Sequence, residues 1–251
     1  MNIKSAFYFL VISFAACSGD PNSNSTTSKG NKDSLKIDTL LFSDCLDTIE
    51  FYKSRDTLFR VYSKGNWVIK LGKLNDIKYA FVVLYDSLLW HFQMENNKWE
   101  LIDTVKYYSF PNYFEERDVN GDDYNDLLAT SMIPSHGNLY PTAFIYDKSE
   151  KIFYYDSTFS ITNLEYDKKR KIIKGEFWGS ACTPTSKTLY KLVNGKPIWV
   201  EEYEYFPDCE TAKNKLFRYI NKNNSRDTIE IKGDNKKLDE IFDKQPWPYE
   251  E

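Results

Sequence analysis

Two histidines in 251 residues leave little material for a His-rich metal centre or for imidazole acid–base chemistry. Ten glycines and nine prolines exclude collagen-like repeats and Pro/Gly-rich disorder. Basic residues do not outnumber acidic ones: 33 Lys and Arg face 37 Asp and Glu, a formal charge of −4. A nucleic-acid binder displaces counterions with a basic face, so nucleic acid is not an expected partner. The Gly-x-Ser-x-Gly, His-Glu-x-x-His and phosphate-binding glycine patterns are missing. No apolar run reaches the roughly 20 residues that span a bilayer. These absences argue against an enzyme. Aromatic residues are abundant instead: 19 Tyr, 17 Phe and 6 Trp make 17 % of the chain, material for a core and for cross-strand pairs.

The chain opens with a short, positively charged segment, Met1 to Ser5, then an apolar run from Ala6 to Ala16 broken by Tyr8 and Ser13. It ends Phe14-Ala15-Ala16-Cys17. The order of regions is that of a secretory signal. A Cys directly after Ala-Ala resembles the bacterial lipobox, which implies lipidation of Cys17 and attachment to the membrane through acyl chains. Residues 1–16 are read as a lipoprotein signal peptide, and 17–34 as the lipidated Cys and a flexible tether. The tether, from Ser18 to Ser34, holds no aliphatic or aromatic residue and cannot offset ordering entropy by burial. The expected location is the bacterial cell envelope, on the periplasmic side or at the outer-membrane surface.

Residues 35–251 read as one mainly β domain, built from strands from Leu35 onward. Leu88, Trp90, Phe92 and Met94 alternate with Leu89, His91 and Gln93; Glu95 to Lys98 make a turn and Trp99 to Ile102 return. This alternation places His91 on the face opposite the large apolar side chains, exposed or lightly packed. Trp67, Ile69 and Leu71 share a face, and Tyr79 to Tyr85 form a continuous buried-strand run. Ala143 to Tyr146 and Lys151 to Tyr155 flank a turn at Asp147 to Glu150. A third hairpin turns at Asn194-Gly195, the strongest short hairpin signal. Strands recurring every 8–12 residues or so predict antiparallel hairpins in a β-propeller-like or two-sheet domain. One short helix is predicted over 235–244, where Leu238, Ile241 and Phe242 fall at helical spacing.

The third hairpin places Cys182 and Cys209 almost opposite each other at its open end, at a separation a disulfide accepts. Export to an oxidising compartment favours that bond. Cys45 is left over, and free Cys is among the most buried residue types.

One segment carries chemistry. In Arg117-Asp118-Val119-Asn120-Gly121-Asp122-Asp123-Tyr124-Asn125-Asp126, the residues Asp118, Asn120, Asp122 and Asp126 occupy positions 1, 3, 5 and 9 of a calcium loop. Tyr124 at position 7 offers its backbone carbonyl. A hard cation takes six to eight oxygens, which a tight turn with oxygen side chains at odd positions supplies, so Ca²⁺ is the expected cofactor. Position 6 holds Asp123 where Gly is usual; Asp tolerates left-handed backbone better than most residues. Position 12 is Ala129 rather than the bidentate Glu of a helix–loop–helix site, so this is not an EF-hand.

The loop resembles the Asp-rich turn between strands of integrin-like FG-GAP repeats. More widely, Tyr113 to Tyr205 resembles a family of bacterial envelope lipoproteins related to a type IV secretion immunity protein that binds calcium and inhibits a lysozyme effector. The likeness rests on the Asp-rich loop, Ala143 to Asp147, Lys151 to Phe153, Asn163-Leu164 and the basic turn Lys168 to Lys171. It implies a propeller-like fold and a protein-binding module whose partner is a lysozyme-like or other secreted protein, engaged by an inhibitory loop. Ser135, His136, Gly137 and Tyr140 align with that loop. The alternatives are a glycan-binding adhesion module and an envelope glycan hydrolase. A hydrolase needs two converging carboxyls, and the neighbours Glu115 and Glu116 face opposite sides of a strand.

Overall fold

The computed structural model describes residues 39–56, 59–62, 67–85, 87–107, 109–133, 135, 137–180, 182–207, 209–211, 213–222 and 225–244. Cys17, the signal segment, the tether and His136 lie outside them. The architecture is mainly β, as the alternation predicts, in three antiparallel sheets. The first sheet holds β1 (Phe59–Tyr62), β2 (Trp67–Leu74), β3 (Ile77–Leu84), β4 (Leu88–Glu95) and β5 (Lys98–Lys106) in that order. The second holds β6 (Pro111–Arg117), β7 (Asp126–Met132), β8 (Leu139–Asp147) and β9 (Ile152–Tyr155). The third holds β10 (Glu165–Asp167), β11 (Ile172–Phe177), β12 (Thr185–Val193), β13 (Lys196–Phe206), β14 (Lys215–Lys222) and β15 (Ser225–Ile231). Each sheet is a meander, so every strand pairs with its neighbours in sequence.

The turns have physical causes. Asn75-Asp76, Asn96-Asn97 and Asn194-Gly195 all have positive φ at both positions, the geometry whose twist matches flanking antiparallel strands. The β12–β13 register starts from Val193 opposite Lys196 and slips by one residue between Leu189 and Tyr190, so that Leu189 faces Glu201. Extended past the bulge, the register leaves Cys182 and Cys209 one position out of step, where the unshifted turn would leave them two. Cys182 and Cys209 form the expected disulfide, with a Cα–Cα distance of 5.7 Å.

The chain does not begin its described part with strands. Thr39–Phe51 is a helix, α1. Its apolar residues Leu41, Phe42, Cys45, Leu46 and Ile49 recur at i, i+1, i+4, i+5 and i+8, one helical stripe, which packs on Ile69, Leu71, Trp90 and Phe92. Cys45 is fully buried there, and burial, with Asp44 beside it, pushes its thiol up to about 12. The helix expected near the C-terminus is present as α2 (Asn235–Lys244), with Leu238 and Phe242 buried against Tyr203 and Leu216.

The first sheet is covered on both faces. Ala80, Val82, Leu84, Leu88, Trp90 and Phe92 face α1. Tyr79, Phe81, Val83 and Leu89 face Leu127, Ala129, Phe144 and Tyr146 of the second sheet. The second sheet's other face, with Leu128, Ala143 and Ile145, packs on Ile173 of β11 and on Phe159, Ile161 and Leu164 before β10. Burying each such side chain contributes roughly 1.5–3 kcal/mol.

His91 is therefore not exposed. It is completely buried between the first two sheets, with its ring centroid 5.1 Å from that of Phe81 and 4.8 Å from that of Phe144. Neither ring nitrogen has a hydrogen-bond partner, and the Asp103 carboxylate stands 3.6 Å from Nδ1. Two neighbours in the same layer join the sheets. Gln93 Nε2 donates to the Lys151 carbonyl at 2.8 Å and its Oε1 accepts from the Phe153 amide at 3.1 Å. Asp103 accepts from the Tyr155 amide at 2.9 Å. Side chains of the first sheet thus satisfy the outer edge of β9, which would otherwise be an open template.

Candidate functional site

The Asp-rich segment is the connection between β6 and β7, and its side chains are turned inward by the loop's own amides. Asp118 accepts from the Gly121 amide at 2.6 Å and from the Asp123 amide at 3.1 Å. Asn120 Oδ1 accepts from the Asp122 amide at 3.1 Å, and Asp122 accepts from the Tyr124 amide at 2.9 Å. Asp126 accepts from the Val119 amide at 3.0 Å and, across the sheet, from the Tyr146 amide at 2.9 Å. Each carboxylate oxygen has two acceptor lone pairs and spends one on these bonds, so acceptor capacity is left over.

The backbone carries two left-handed residues, Gly121 at φ +78° and Asp123 at φ +69°. The expectation that the unusual Asp at position 6 would take the glycine conformation holds. Gly121 is required twice over: a β-carbon there would lie 2.3 Å from the Tyr166 hydroxyl. Residues from three other turns surround the loop. Asn75 Nδ2 donates to the Asn125 carbonyl at 2.9 Å, Lys148 Nζ lies 4.9 Å from the Tyr124 ring centroid, and Lys168 pairs with Asp123.

Electrostatics divides the four carboxylates. Asp126 is fully buried, and burial raises its carboxyl to about 7, against the pull of two amide donors and with a smaller push from Asp122 and Asp118. Asp123 is exposed and held below its ordinary value by Lys168. The donor set is all oxygen, the chemistry of a hard cation. Among the described residues, though, no three His, Cys, Asp or Glu side chains are grouped as a metal cage. Asn120 instead donates its amide nitrogen to Asp122 Oδ2 at 3.1 Å, so the two satisfy each other directly.

The segment aligned with an inhibitory loop lies at the other end of β7. Seven strand residues, Asp126–Met132, separate the two, about 20 Å at 3.4 Å per residue. The structure therefore does not bring the two candidate sites together. Ser135 is exposed in a turn. Gly137 has φ +69°, with the Trp178 ring at van der Waals distance from where its β-carbon would stand. Tyr140 does not belong to the loop: β8 begins at Leu139, and Tyr140 pairs with Ser131 as a strand residue.

The residue that holds this loop is Asn138, which sequence reasoning left unassigned. It is fully buried. Its Nδ2 donates to the Trp178 carbonyl at 2.8 Å; its Oδ1 accepts from the Trp178 amide at 2.8 Å and from Asn163 Nδ2 at 2.9 Å. Asn163 in turn accepts from the Leu139 amide and donates to the Glu176 carbonyl, both at 2.8 Å. Two asparagines thus stitch the start of β8 to the end of β11. Asn163 takes a left-handed backbone (φ +49°), a conformation Asn favours, but that preference says nothing of its contacts.

The expected opposition of Glu115 and Glu116 holds. Glu116 accepts from the Tyr79 hydroxyl at 2.7 Å, inside the sheet interface, while Glu115 pairs with Arg117 at 3.2 Å. No carboxylate pair faces a cleft at this position. Among the described residues, no helix is long and apolar enough to cross a membrane.

No protein-family model and no curated protein matches the sequence. Among solved structures, one described as a Xanthomonas type IV secretion system related protein matches with a TM-score of 0.40 at 12 % identity, over 69 % of this chain and 93 % of that one.

Proposed function

We propose that the protein is a calcium-binding module of the bacterial envelope, anchored through lipid on Cys17, that binds another protein rather than turning over a substrate. The observation that carries the cation half of this reading is the turn of Asp118, Asn120, Asp122, Tyr124 and Asp126. It is all-oxygen, has left-handed backbone at positions 4 and 6, and is rooted in a buried carboxylate. Binding rather than catalysis is supported by the absorption of His91 into the core and by the division of Glu115 and Glu116 between opposite faces. A lysozyme-like partner comes from the sequence resemblance of Tyr113 to Tyr205.

Thermal melting with EDTA and with added Ca²⁺ tests the cation. A ligand that binds only the folded state adds about 2.7 kcal/mol at a hundredfold excess over its dissociation constant. For a domain of this size that is a rise of roughly 5–11 °C. Asp118→Ala should remove the rise, and identical melts for the unmodified protein would overturn the assignment. Peptidoglycan digestion, run with the protein alone and with added lysozymes, tests the partner. Suppression of a lysozyme supports the binding reading, and turnover by the protein alone defeats it.

A further inference from the structure

The third sheet ends in an edge whose sequence is complementary to itself. Lys222 and Ser225 are opposed at the closed end of the β14–β15 hairpin. Across a two-residue connection such a pair exchanges hydrogen bonds, and the exchange recurs at every second pair. Ser225, Asp227, Ile229 and Ile231 therefore give their backbone groups to β14. Arg226, Thr228 and Glu230 turn theirs outward. Among the described residues no backbone-to-backbone hydrogen bond reaches that outer side; the Thr228 amide donates to the Asp227 carboxylate, which strand pairing would displace. Among the described residues the α2 helix packs inward on Lys187, Tyr203, Tyr205 and Leu216 and meets β15 at Ile231, the end of the strand.

We propose that β15 pairs antiparallel with β15 of a second copy of this chain, centred on Thr228. In that register Thr228 faces Thr228 of the second copy, and Arg226 faces its Glu230, twice by symmetry. The three outward residues of each copy are then all paired backbone to backbone. In the single chain Arg226 leans inward, over the Tyr219 ring of β14 at 3.7 Å and onto Glu202 of β13 at 3.2 Å, so pairing has it exchange Glu202 for Glu230 of the second copy. Glu230 has no ion pair among the described residues. Opposite charges directly across a strand pair stabilise it, and Thr–Thr pairs do likewise. A one-residue slip in either direction would bring Arg226 opposite Ile229 or Ile231 and lose both ion pairs, so the charge pattern selects the register. One pair of seven-residue strands buries less than the roughly 1,200–2,000 Å² of a stable complex. The dimer is accordingly weak, in the micromolar range, and reversible.

The test uses the full chain purified in detergent. In this pairing the two Thr228 Cα atoms lie about 5.5 Å apart, within disulfide reach. Thr228→Cys should oxidise to a covalent dimer on a non-reducing gel. Ser225→Cys should not, because its two copies stand about 20 Å apart. Adding Glu230→Lys to Thr228→Cys should lower the yield about tenfold, and further adding Arg226→Glu should restore it. Sedimentation of the unmodified protein should show a monomer–dimer equilibrium between about 10 μM and 1 mM. A monomer throughout, equal cross-linking of Thr228→Cys and Ser225→Cys, or a dimer indifferent to Glu230→Lys would each overturn the proposal. Cross-linking of Thr228→Cys to a different protein alone would assign the edge to that partner and overturn it as well.

Discussion

Asn138→Ala should be among the more damaging polar substitutions in the molecule, although the residue lies next to an exposed turn. The side chain makes three hydrogen bonds, two to the Trp178 backbone and one to Asn163. Removing it leaves both the amide and the carbonyl of Trp178 without the partner that each has now. Asn163 keeps its bond to Glu176 and loses less. An orphaned buried group costs about 1–3 kcal/mol. Trp178 is 43 % exposed, so water reaches part of the gap and the lower half of that range applies to each group. The expected loss is about 3 kcal/mol. With a urea m-value of about 2–3 kcal/mol/M, the unfolding midpoint should fall by about 1 M at an unchanged slope. Ser135→Ala, three residues away and exposed, should stay within about 0.5 kcal/mol. A loss below about 1 kcal/mol for Asn138→Ala would mean that water replaces the side chain fully. The two asparagines would then not be what fixes the loop.

Reduction of the Cys182–Cys209 bond, which closes a 27-residue separation, should cost about 3.5 kcal/mol in the chain-entropy account, read from melts with and without reductant. Peptide mapping that found Cys45 in a bridge would refute the hairpin register. Burial holds His91 below its ordinary value, against the pull of Asp103. The unfolded chain therefore takes up a proton first as pH falls below about 6.5, and stability drops. His91→Phe, sitting between Phe81 and Phe144, should flatten that slope; equal stability differences between the two proteins at pH 5 and pH 7.5 would show that the imidazole does not titrate on unfolding. Asp126 acts with the opposite sign. Its carboxyl, raised to about 7 in the fold, binds its proton more tightly folded than unfolded, so without a cation stability falls as pH rises from about 4 to 7. A bound cation needs the ionised form, so the calcium-induced rise in melting temperature should be larger at pH 8 than at pH 6. A rise independent of pH would place the cation away from Asp126.

Local features of this chain could be read from its sequence, and relations between distant segments could not. The hairpin at Asn194-Gly195 is legible because its turn chemistry and its alternation are contiguous. Even so, the bulge at Leu189, which decides how the cysteines meet, leaves no mark in the pattern. The same limit explains His91. Alternation places it opposite Trp90 and Phe92, as the structure has it, but does not reveal that both faces of the sheet are covered. The unbroken run from Tyr79 to Leu84, every residue buried, belongs to a strand covered on both sides, and a neighbouring strand in the same sheet must share that cover. The α1 stripe was present at helical spacing, hidden among residues such as Thr, Phe and Ile that favour strands. Asn138, Asn163 and Trp178 stand up to 40 positions apart, and nothing local announces that they meet.

The placement of the two candidate sites constrains how they could act together. The Asp-rich turn and the segment around Ser135 and Gly137 flank β7, whose residues from Asp126 to Ser131 are all buried. A strand covered on both faces has one register, because a slip by one residue would exchange its two faces. Nothing in β7 can slide to carry a signal from one end to the other. The segment near Ser135 is held from the far side, by Asn138 and Asn163 through the end of β11. A cation at Asp118 to Asp126 would therefore act on it by stabilising the strand that both share, not by gating it. Calcium should change how long the segment keeps its shape rather than which shape it takes.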